Sequence, residues 1–423
     1  MAERAAGARA MCVWLGTLAS YRPGLIGQLV REYRTTADLV QRPPREIVAF
    51  AARRGGRGVR EATEKAYARV PTAGRTSDAE RFAAALREGP AACLRRAERR
   101  PPGDTVVAWS EALYPDQLRD LPDPPLCLFV RGGADAASAR ARLSALVDTP
   151  LVAVVGTRSP SPYGEDMARL VAGGLFRAGV VVVSGLALGI DAVAQKAAVD
   201  AHAALREAAL DADAGPPLST VAVLGCGADV VYPRGNASLY ARVAGGGLIL
   251  SEFAWGVPAR VWRFPARNRV MAALGRAVVL VEGAKQSGAR ITAGHASDLG
   301  RDVLCVPGEA GRKLSEAPNR LLDEGARVCE SAADVLRVIG VSDPGPGAGP
   351  GAGGAELPLL VLDHGGGAVR DVLRALEMAS FTIDELSVRL DLSASKVAAA
   401  VSDLEVEGLA RRVDGGRYRR LRS

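Results

Sequence analysis

Residues 264–269 read Phe-Pro-Ala-Arg-Asn-Arg and form a dense group of side chains suited to recognition. Arg260, Trp262 and Arg263 come just before this run, so two aromatic rings, four arginines and one amide lie within ten residues. Guanidinium groups bind phosphates, and aromatic rings stack on unpaired bases. The run therefore predicts contact with a nucleic-acid strand through Arg263, Phe264, Arg267, Asn268 and Arg269.

Three glycine-containing loops follow apolar, strand-like segments and have the composition of anion-binding loops. Glycine lets the backbone approach an anion, hydroxyl groups donate hydrogen bonds to it, and a helix beginning beyond the loop adds its N-terminal amides. Taken alone, each loop also fits an ordinary strand-to-helix turn or a helix cap. Together they predict a phosphate-binding edge formed by Gly156, Thr157 and Arg158, by Ser184, Gly185 and Gly189, and by Ser287, Gly288 and Thr292.

Residue groups with the spacing of a catalytic centre are missing from the sequence. It contains no Walker A lysine motif, no Gly-x-Ser-x-Gly nucleophile elbow and no pair of histidines at metal-ligand spacing. Gly225-Cys226-Gly227 is a lone Gly-x-Gly without the third glycine of a dinucleotide-binding fingerprint. We therefore expect a binding protein with no catalytic residues, no metal site and no cofactor.

The composition is that of a basic globular protein. The chain has 423 residues, of which 48% are hydrophobic and 24% charged, and its formal net charge is +7. A basic balance is weak support for a polyanionic partner, because it is common among proteins. No apolar run reaches the length of about 18 residues that a membrane helix needs. We therefore expect no association with a membrane. Six scattered cysteines without a Cys-x-x-Cys pair favour a reduced, cytoplasmic protein.

The middle of the chain, residues 106–340, alternates short apolar runs with amphipathic segments. Continuous apolar runs are typical of strands buried on both faces, so this alternation predicts an α/β domain with a Rossmann-like, doubly wound, mostly parallel sheet. In such sheets ligands bind beyond the carboxyl ends of the strands, where the three loops fall. The expected strands are 152–155, 180–183, 221–224, 248–250, 278–281 and 303–306.

Smaller units flank this Rossmann-like domain, which is the expected nucleic-acid-binding domain. Residues 1–70 place aliphatic side chains at helical spacing, which predicts an N-terminal helical domain similar to a helix-turn-helix bundle. The alanine- and arginine-rich residues 71–105 are expected to be a linker with some helix, and the Gly/Pro-rich residues 341–355 a second linker. Residues 356–423 have the pattern of three helices and a hairpin, which predicts a C-terminal winged helix.

The order of these motifs resembles the DNA-processing protein A family, also called DprA or Smf. The resemblance covers residues 106–335 and rests on several motifs in series, which makes it far more specific than a single glycine loop. The matching segments are Gly156-Thr157-Arg158, Ser184-Gly185 with Gly189-Ile190-Asp191, Gly225-Cys226-Gly227-Ala228-Asp229 with Tyr232-Pro233, residues 264–269, Ser287-Gly288 with Ile291-Thr292, and Val306-Pro307-Gly308.

This resemblance implies a single-stranded DNA-binding protein of natural transformation and recombination. Members of the family hold and protect incoming strands, help to load the RecA recombinase and commonly form homodimers. By matched position, Phe264 would stack on a base, Arg267 and Asn268 would meet the strand, and the glycine and hydroxyl loops would hold phosphates. Single-stranded DNA, RecA and a second copy of the chain are therefore the expected partners.

Two positions depart from the family's usual pattern in a way that concerns binding. Leu188 stands where members often have arginine, and Val261 stands where a basic residue is common. With aliphatic residues at both positions, the sequence predicts that more of the binding depends on Arg158, Arg263 and Arg267.

Two other functions stay open from the sequence. A nucleotide phosphoribohydrolase has a related α/β core, and Glu282 is a distant candidate for the glutamate that such an enzyme places at the sugar, although the Pro-Gly-Gly loop of that class is absent. Alternatively, the chain is a duplex-binding regulator working through its winged helix, and a protein-contact role for this domain is equally open. The arginines available for phosphate contact there are Arg411, Arg412, Arg417, Arg419, Arg420 and Arg422.

Overall fold

The structure is a computed structural model that describes residues 2–21, 24–54, 77–208, 218–343, 367–406 and 409–420. Its first part is helical, with α1 (Ala2–Ala19), α2 (Leu25–Tyr33), α3 (Thr36–Val40), α4 (Pro44–Arg54) and α5 (Asp78–Glu98). Helices α1 to α4 lie in the expected N-terminal helical domain, of which residues 55–70 fall outside the described residues.

Helix α5 corrects the expected linker over residues 71–105. A capping box between Ser77 and Glu80 starts the helix, and Phe82 and Leu86 are buried against the N-terminal helices. Trp14 of α1 donates from Nε1 to the carbonyl of Ala85 at 2.7 Å. The alanine-rich composition belongs to a helix whose small side chains allow close packing against α1, so Asp78–Glu98 is part of the N-terminal core, while residues 71–76 lie outside the described residues.

A nine-stranded sheet forms the centre of the molecule, in the order β1-β2-β6-β5-β4-β3-β7-β8-β9. The seven strands from β6 to β9 in this order all pair in parallel with their neighbours. At the other edge, β2 pairs antiparallel with β6 and with β1. The mostly parallel α/β prediction is confirmed, and the antiparallel edge is an addition to the expected strands. The strands are β1 (Asp104–Ala108), β2 (Cys127–Arg131), β3 (Leu151–Val155), β4 (Val181–Ser184), β5 (Thr220–Val223), β6 (Leu248–Ser251), β7 (Ala277–Leu280), β8 (Asp302–Cys305) and β9 (Arg327–Val328).

Helices cover both faces of the parallel sheet. Alternate residues of β3 enter different cores: Val152 and Val154 join one buried cluster, and Ala153 and Val155 join the other. Strands with both faces buried are apolar throughout, which explains the continuous runs in the sequence. The helices are α6 (Ala136–Ala145), α7 (Pro162–Arg177), α8 (Ile190–Ala208), α9 (Ala237–Gly246), α10 (Arg263–Leu274), α11 (Gly288–Asp298), α12 (Glu316–Asp323) and α13 (Ala332–Ile339).

The direction of winding reverses at β3. The chain continues from β3 to β4, β5 and β6 on one side, and then returns to place β7 on the other side of β3. The loops that leave β3 and β7 therefore face each other across a crevice, which is the usual ligand site of such sheets. Glu282, just after β7, ties these loops together by accepting hydrogen bonds from the backbone N and the Oγ of Ser161.

The C-terminal unit has its own core and the topology of a winged helix. Its elements are α14 (Gly367–Met378), α15 (Ile383–Leu390), α16 (Ala394–Val406) and the antiparallel hairpin of β10 (Ala410–Val413) and β11 (Arg417–Arg420). Thr382 and Glu385 form a capping box at the start of α15. The predicted winged helix is confirmed; most of the expected linker, residues 344–355, lies outside the described residues.

Two further properties concern the described residues as a whole. None of their helices combines the length and the apolar character needed to cross a bilayer. All six cysteines are buried, and each is a free thiol.

Candidate nucleic-acid interface

A groove with a volume of about 410 Å³ opens at the carboxyl ends of β3 and β7. It is bounded by the loop after β3, the first turns of α10 and the start of α11. Most of the site residues expected from the sequence lie here. The expected residues along its wall are Gly156, Thr157, Arg158, Phe264, Arg267, Asn268, Ser287, Gly288 and Thr292.

Helix α10 presents one face to the groove. Phe264, Arg267, Asn268 and Met271 all line it, and their spacing of three, one and three residues is that of a single helical face. The Phe-Pro-Ala-Arg-Asn-Arg run is therefore the beginning of a helix, and its regular geometry selects which of its side chains reach the groove.

Phe264 contacts two other side chains at the groove. The guanidinium carbon of Arg158 is 5.3 Å from the centre of its ring, and the ring of Tyr232 lies 5.5 Å away at an angle of 30°. Gly225 leaves room for this arrangement, because a Cβ there would lie 2.8 Å from Cδ1 of Phe264. The three side chains line the groove together and form an aromatic and cationic cluster, which we call the stacking surface.

Arg267 lies in the floor of the groove and is 4% exposed. Its guanidinium donates to the carbonyl of Val223 and to Oδ1 of Asn268. Burial lowers the pKa of Arg267 from its usual value. Burial also raises the pKa of Asp191, although the nearby Arg267 charge acts on it in the opposite direction. Arg267 thus shapes the floor and contributes charge from below, instead of projecting toward a strand.

The first turns of α11 and the residue before them carry two buried hydroxyl groups whose surroundings suit an anion. Oγ of Ser287 and Oγ1 of Thr292 are buried and have no hydrogen-bond partner among the described residues, and Thr292 is 1% exposed. Asn268 donates from Nδ2 to the carbonyl of Gly288 at 3.2 Å, which fixes the loop against α10. Unpaired buried hydroxyls beside a helix N-terminus suit a phosphate, which would accept their hydrogen bonds.

The loop after β3 is held rigidly while Arg158 remains exposed. The backbone N of Thr157 donates to the carbonyl of Glu282 at 2.8 Å, and the carbonyl of Thr157 accepts from the backbone N of Ile190 at 3.1 Å. Gly189 has φ of 80°, and a Cβ there would collide with the backbone of Thr157 and Arg158. Glycine at this position allows the loops after β3 and β4 to meet.

Ser184 and Gly185 lie at the edge of this site in different roles. Ser184 is fully buried, and its Oγ donates to the carbonyl of Val154 at 2.7 Å, so it joins two strands. Gly185 lines a smaller cavity of about 60 Å³ next to the stacking surface, and its N donates to Asp191. The structure thus places Gly185 near the groove and Ser184 within the sheet.

Arg263 and Arg269 are not where the sequence placed them, and both are corrections. Arg263 is 0% exposed and directed at the N-terminal helices, where it donates to the carbonyl of Ser20 at 2.9 Å and pairs with Asp78 at 3.0 Å. Arg269 pairs with Glu252 at 2.8 Å and Asp123 at 3.0 Å. Because each residue turns a helix by about 100°, both side chains leave α10 away from its groove face.

Three residues that were not among the expected site residues also lie at the groove. Tyr232 forms part of the stacking surface, and the aliphatic Leu188 and Val261 are exposed beside it by 48% and 87%. A tyrosine followed by proline after a Gly-x-Gly strand end was the available signal for Tyr232. For Leu188 and Val261 the available signal was the family resemblance, in which both positions are often basic, whereas their exposure at the groove required the tertiary structure.

The arginines of the wing hairpin also have partners within the chain. Arg411 and Arg419 contact Asp166 on α7, and Arg417 pairs with Glu385 at 2.7 Å. Arg412 is exposed, and Arg422 lies outside the described residues. The wing thus directs two of its predicted phosphate contacts at the Rossmann-like domain.

Comparison with known proteins agrees with this architecture. The family model described as DNA recombination-mediator protein A matches residues 105–340, and the DprA winged helix domain matches residues 367–416. A curated DNA processing protein DprA of Mycobacterium tuberculosis is 39% identical over 272 residues, 64% of this chain and 64% of the relative. The matched part thus spans slightly less than two thirds of that relative.

Two further relatives extend the match. Protein Smf of Synechocystis sp. is 30% identical over 330 residues, which cover 73% of this chain and 78% of the relative. The X-ray structure of DNA processing protein A from Streptococcus pneumoniae has a TM-score of 0.57 and 28% identity, and covers 77% of this chain and 97% of that chain. The resemblance drawn from the motifs is confirmed: the chain belongs to the DNA recombination-mediator protein A family, whose relatives bear the names DprA and Smf.

Proposed function

We propose that the groove binds single-stranded DNA, with a base on the stacking surface and a phosphate at the start of α11. The observation that carries this proposal is that Ser287 and Thr292, whose buried hydroxyls have no partner within the described part of the chain, line the same groove as Phe264. A partly exposed aromatic ring at a groove offers a sequence-independent surface for an unpaired base, while duplex bases are already stacked on each other. The arrangement therefore favours a single strand of any sequence.

The biological role that fits this site is DNA processing in natural transformation and recombination. Family membership and relatives named DNA processing protein support this role. In the proposed role, the protein protects incoming strands in the cytoplasm, helps to load the RecA recombinase and acts as a homodimer. It does so by binding, without catalysing a reaction.

The phosphoribohydrolase alternative depends on a glutamate that is free to act at a sugar. Glu282 was the candidate, but it is 5% exposed and its two carboxylate oxygens accept hydrogen bonds from the N and Oγ of Ser161. A carboxylate engaged in this way joins two loops and is poorly suited to substrate chemistry. We therefore favour a binding function for this site.

The duplex-binding alternative depends on basic side chains of the winged helix. Its second and third helices expose the cations Arg389 and Lys396 among more carboxylates, namely Asp384, Glu385, Asp403 and Glu405, so this surface carries no excess of positive charge. Duplex binding draws much of its affinity from lysine and arginine contacts with phosphates. The winged helix alone is thus a weak candidate for the main DNA site.

Fluorescence anisotropy with four probes tests the proposal. The probes are an oligothymidylate, a mixed-sequence single strand, a blunt duplex of the same length, and a strand in which abasic sites replace all bases. We expect similar binding to both single strands, at least tenfold weaker binding to the duplex and markedly weaker binding to the abasic strand. Equal affinity for the abasic strand would show that the stacking surface is not used, and preference for the duplex would overturn the groove assignment.

A further inference from the structure

The wing of the winged helix is held against helix α7 by two arginines that face the same side of the hairpin. Arg411 on β10 and Arg419 on β11 are directly opposite each other in the hairpin register. Nη2 of Arg411 lies 3.3 Å from Oδ1 of Asp166, and its Nη1 lies 3.9 Å from Oε2 of Glu165. Arg419 donates to Oδ2 of Asp166. Both arginines therefore converge on one pair of carboxylates.

That pair of carboxylates already has a partner on its own helix. Arg169 pairs with Glu165 at 2.7 Å and with Asp166 at 2.9 Å. Three guanidinium groups thus share two carboxylates, which leaves this contact with an excess of positive charge. If the wing moves away, Glu165 and Asp166 keep Arg169, so neither carboxylate is left without a cation.

Arg411 is poorly satisfied while the wing is in place. Its Nε is buried without a hydrogen-bond partner among the described residues. Burial, together with repulsion from Arg169, lowers the pKa of Arg411. A phosphate group offers several charged acceptor oxygens, so it can satisfy this arginine better than the shared carboxylates can.

The contact is also close to the proposed strand site. Helix α7 begins at Pro162, directly after the loop that carries Arg158, and Glu165 and Asp166 lie in its first turns. At about 1.5 Å per residue, they are roughly 5 Å along the axis from the start of the helix. A strand leaving the groove past Arg158 would reach the wing within a few nucleotides.

We propose that the wing is a cap docked on α7 through Arg411 and Arg419, and that phosphates of a long single strand compete with Glu165 and Asp166 for these arginines and detach it. The docking part stands on the contacts alone, whereas the release part rests on the proposed function of the groove. The winged helix then responds to the length of bound DNA: a short strand fills the groove, and a longer one also displaces the wing.

Energy transfer between two dyes measures the docking. Because the six native cysteines are buried, Asp298→Cys on α11 and Ser402→Cys on α16 can be labelled in the full chain; both positions are exposed. We expect high transfer at low salt and a loss of at least half of it in Arg419→Glu. The charge-swapped pair of Arg419→Glu with Asp166→Arg restores the transfer, which a folding defect would not do.

Arg412→Glu is the matched control, because Arg412 is exposed on the same strand and its neighbour in sequence is Arg411. This variant should keep the transfer of the parent protein. Unchanged transfer in both Arg419→Glu and Arg411→Glu would overturn the docking, and so would a swapped pair that remains open although circular dichroism shows it folded.

Strand length tests the release. A strand of about 30 nucleotides should lower the transfer, while one of about six nucleotides, close to the smallest sites of single-strand binders, should bind and leave it unchanged. Full transfer with the long strand bound, as judged by anisotropy, would overturn the release step and leave the groove proposal standing. Failure of both strands to bind would overturn the groove proposal and the release step together, while the charge swap still decides the docking.

Discussion

Helix α10 has arginines on two sides, and the two sides differ in what their charges contact. On the outer side, Arg263 and Arg269 are paired with carboxylates of other segments, and together they join the helix to the N-terminal domain and to the antiparallel edge of the sheet. On the groove side, Arg267 is buried in the floor and donates to the carbonyl of Val223. Nearby, Phe264 is half-buried beside the exposed Arg158, close to hydroxyls that have no partner among the described residues. The same short run therefore serves both architecture and binding.

This contrast gives a criterion for separating the two kinds of cation. An arginine whose charge is paired with nearby carboxylates holds segments of the folded chain together, so its removal lowers the stability of the fold. A polar group left without a hydrogen-bond partner at a groove can bond the ligand, so its removal lowers the affinity for the ligand. The wing arginines stand between these cases, because three guanidinium groups share two carboxylates there.

The largest effect is expected on the outer side. Arg263→Met removes a buried charge and its hydrogen bonds to Ser20 and Asp78, so the free energy of unfolding should fall by roughly 3 kcal/mol. Strand affinity of the folded protein should change less than twofold. Urea denaturation and anisotropy measure the two quantities, and Arg312→Met, in an exposed ion pair, is the matched control. A large loss of affinity with unchanged stability would place Arg263 in the binding site.

The stacking surface should give the next largest effect. Phe264→Ala should weaken single-strand binding by about 1–3 kcal/mol, because a base loses its aromatic partner. Phe264→Tyr keeps the ring and should retain most of the affinity. Anisotropy with the oligothymidylate and the abasic strand separates the causes: the loss should appear with the former and nearly vanish with the latter. An equal loss with both strands would argue against stacking.

Thr292→Val tests the unpartnered hydroxyl. Replacing Oγ1 by a methyl group removes a buried polar atom that lacks a partner, so the unfolding free energy should stay equal or rise, while strand affinity falls by about 1 kcal/mol. Thr220→Val is the control, because its Oγ1 donates to the carbonyl of Val182 at 2.6 Å and its loss should destabilise the fold. If Thr292→Val loses stability in the same way, its hydroxyl serves the fold and not the phosphate.

Arg158 should produce the smallest effect, visible mainly in the salt dependence. In Arg158→Gln, the slope of log affinity against log salt should become shallower by about 0.7, the contribution of one phosphate contact on a single strand. Arg276→Gln is the control, since Arg276 is exposed just before β7, at the opposite edge of the sheet. Anisotropy over a salt series gives the slope for the parent protein and for each variant. If Arg158→Gln has the same slope as the parent protein, Arg158 does not contact a phosphate.

The sequence by itself determined the fold class and the edge at which the site lies. Continuous apolar strands can only be buried on both faces, so the alternation with helices specified a doubly wound sheet, and the loops after the strands specified its carboxyl edge. These features are local and periodic. They place Thr157, Phe264 and Ser287 near one another before any contact is known.

Tertiary structure decided which residues of each motif face the groove. Arg263, Arg267 and Arg269 have the same side chain, and their separation depends on the rotation of α10 and on carboxylates such as Asp78 and Glu252 that are remote in sequence. Likewise, the packing of α5 on α1 and the contact of Arg419 with Asp166 join segments more than 50 residues apart. The periodicity of a sequence indicates which side of one helix or strand is buried. Contacts between residues of different elements depend on how the elements pack, so they are visible only in the folded chain.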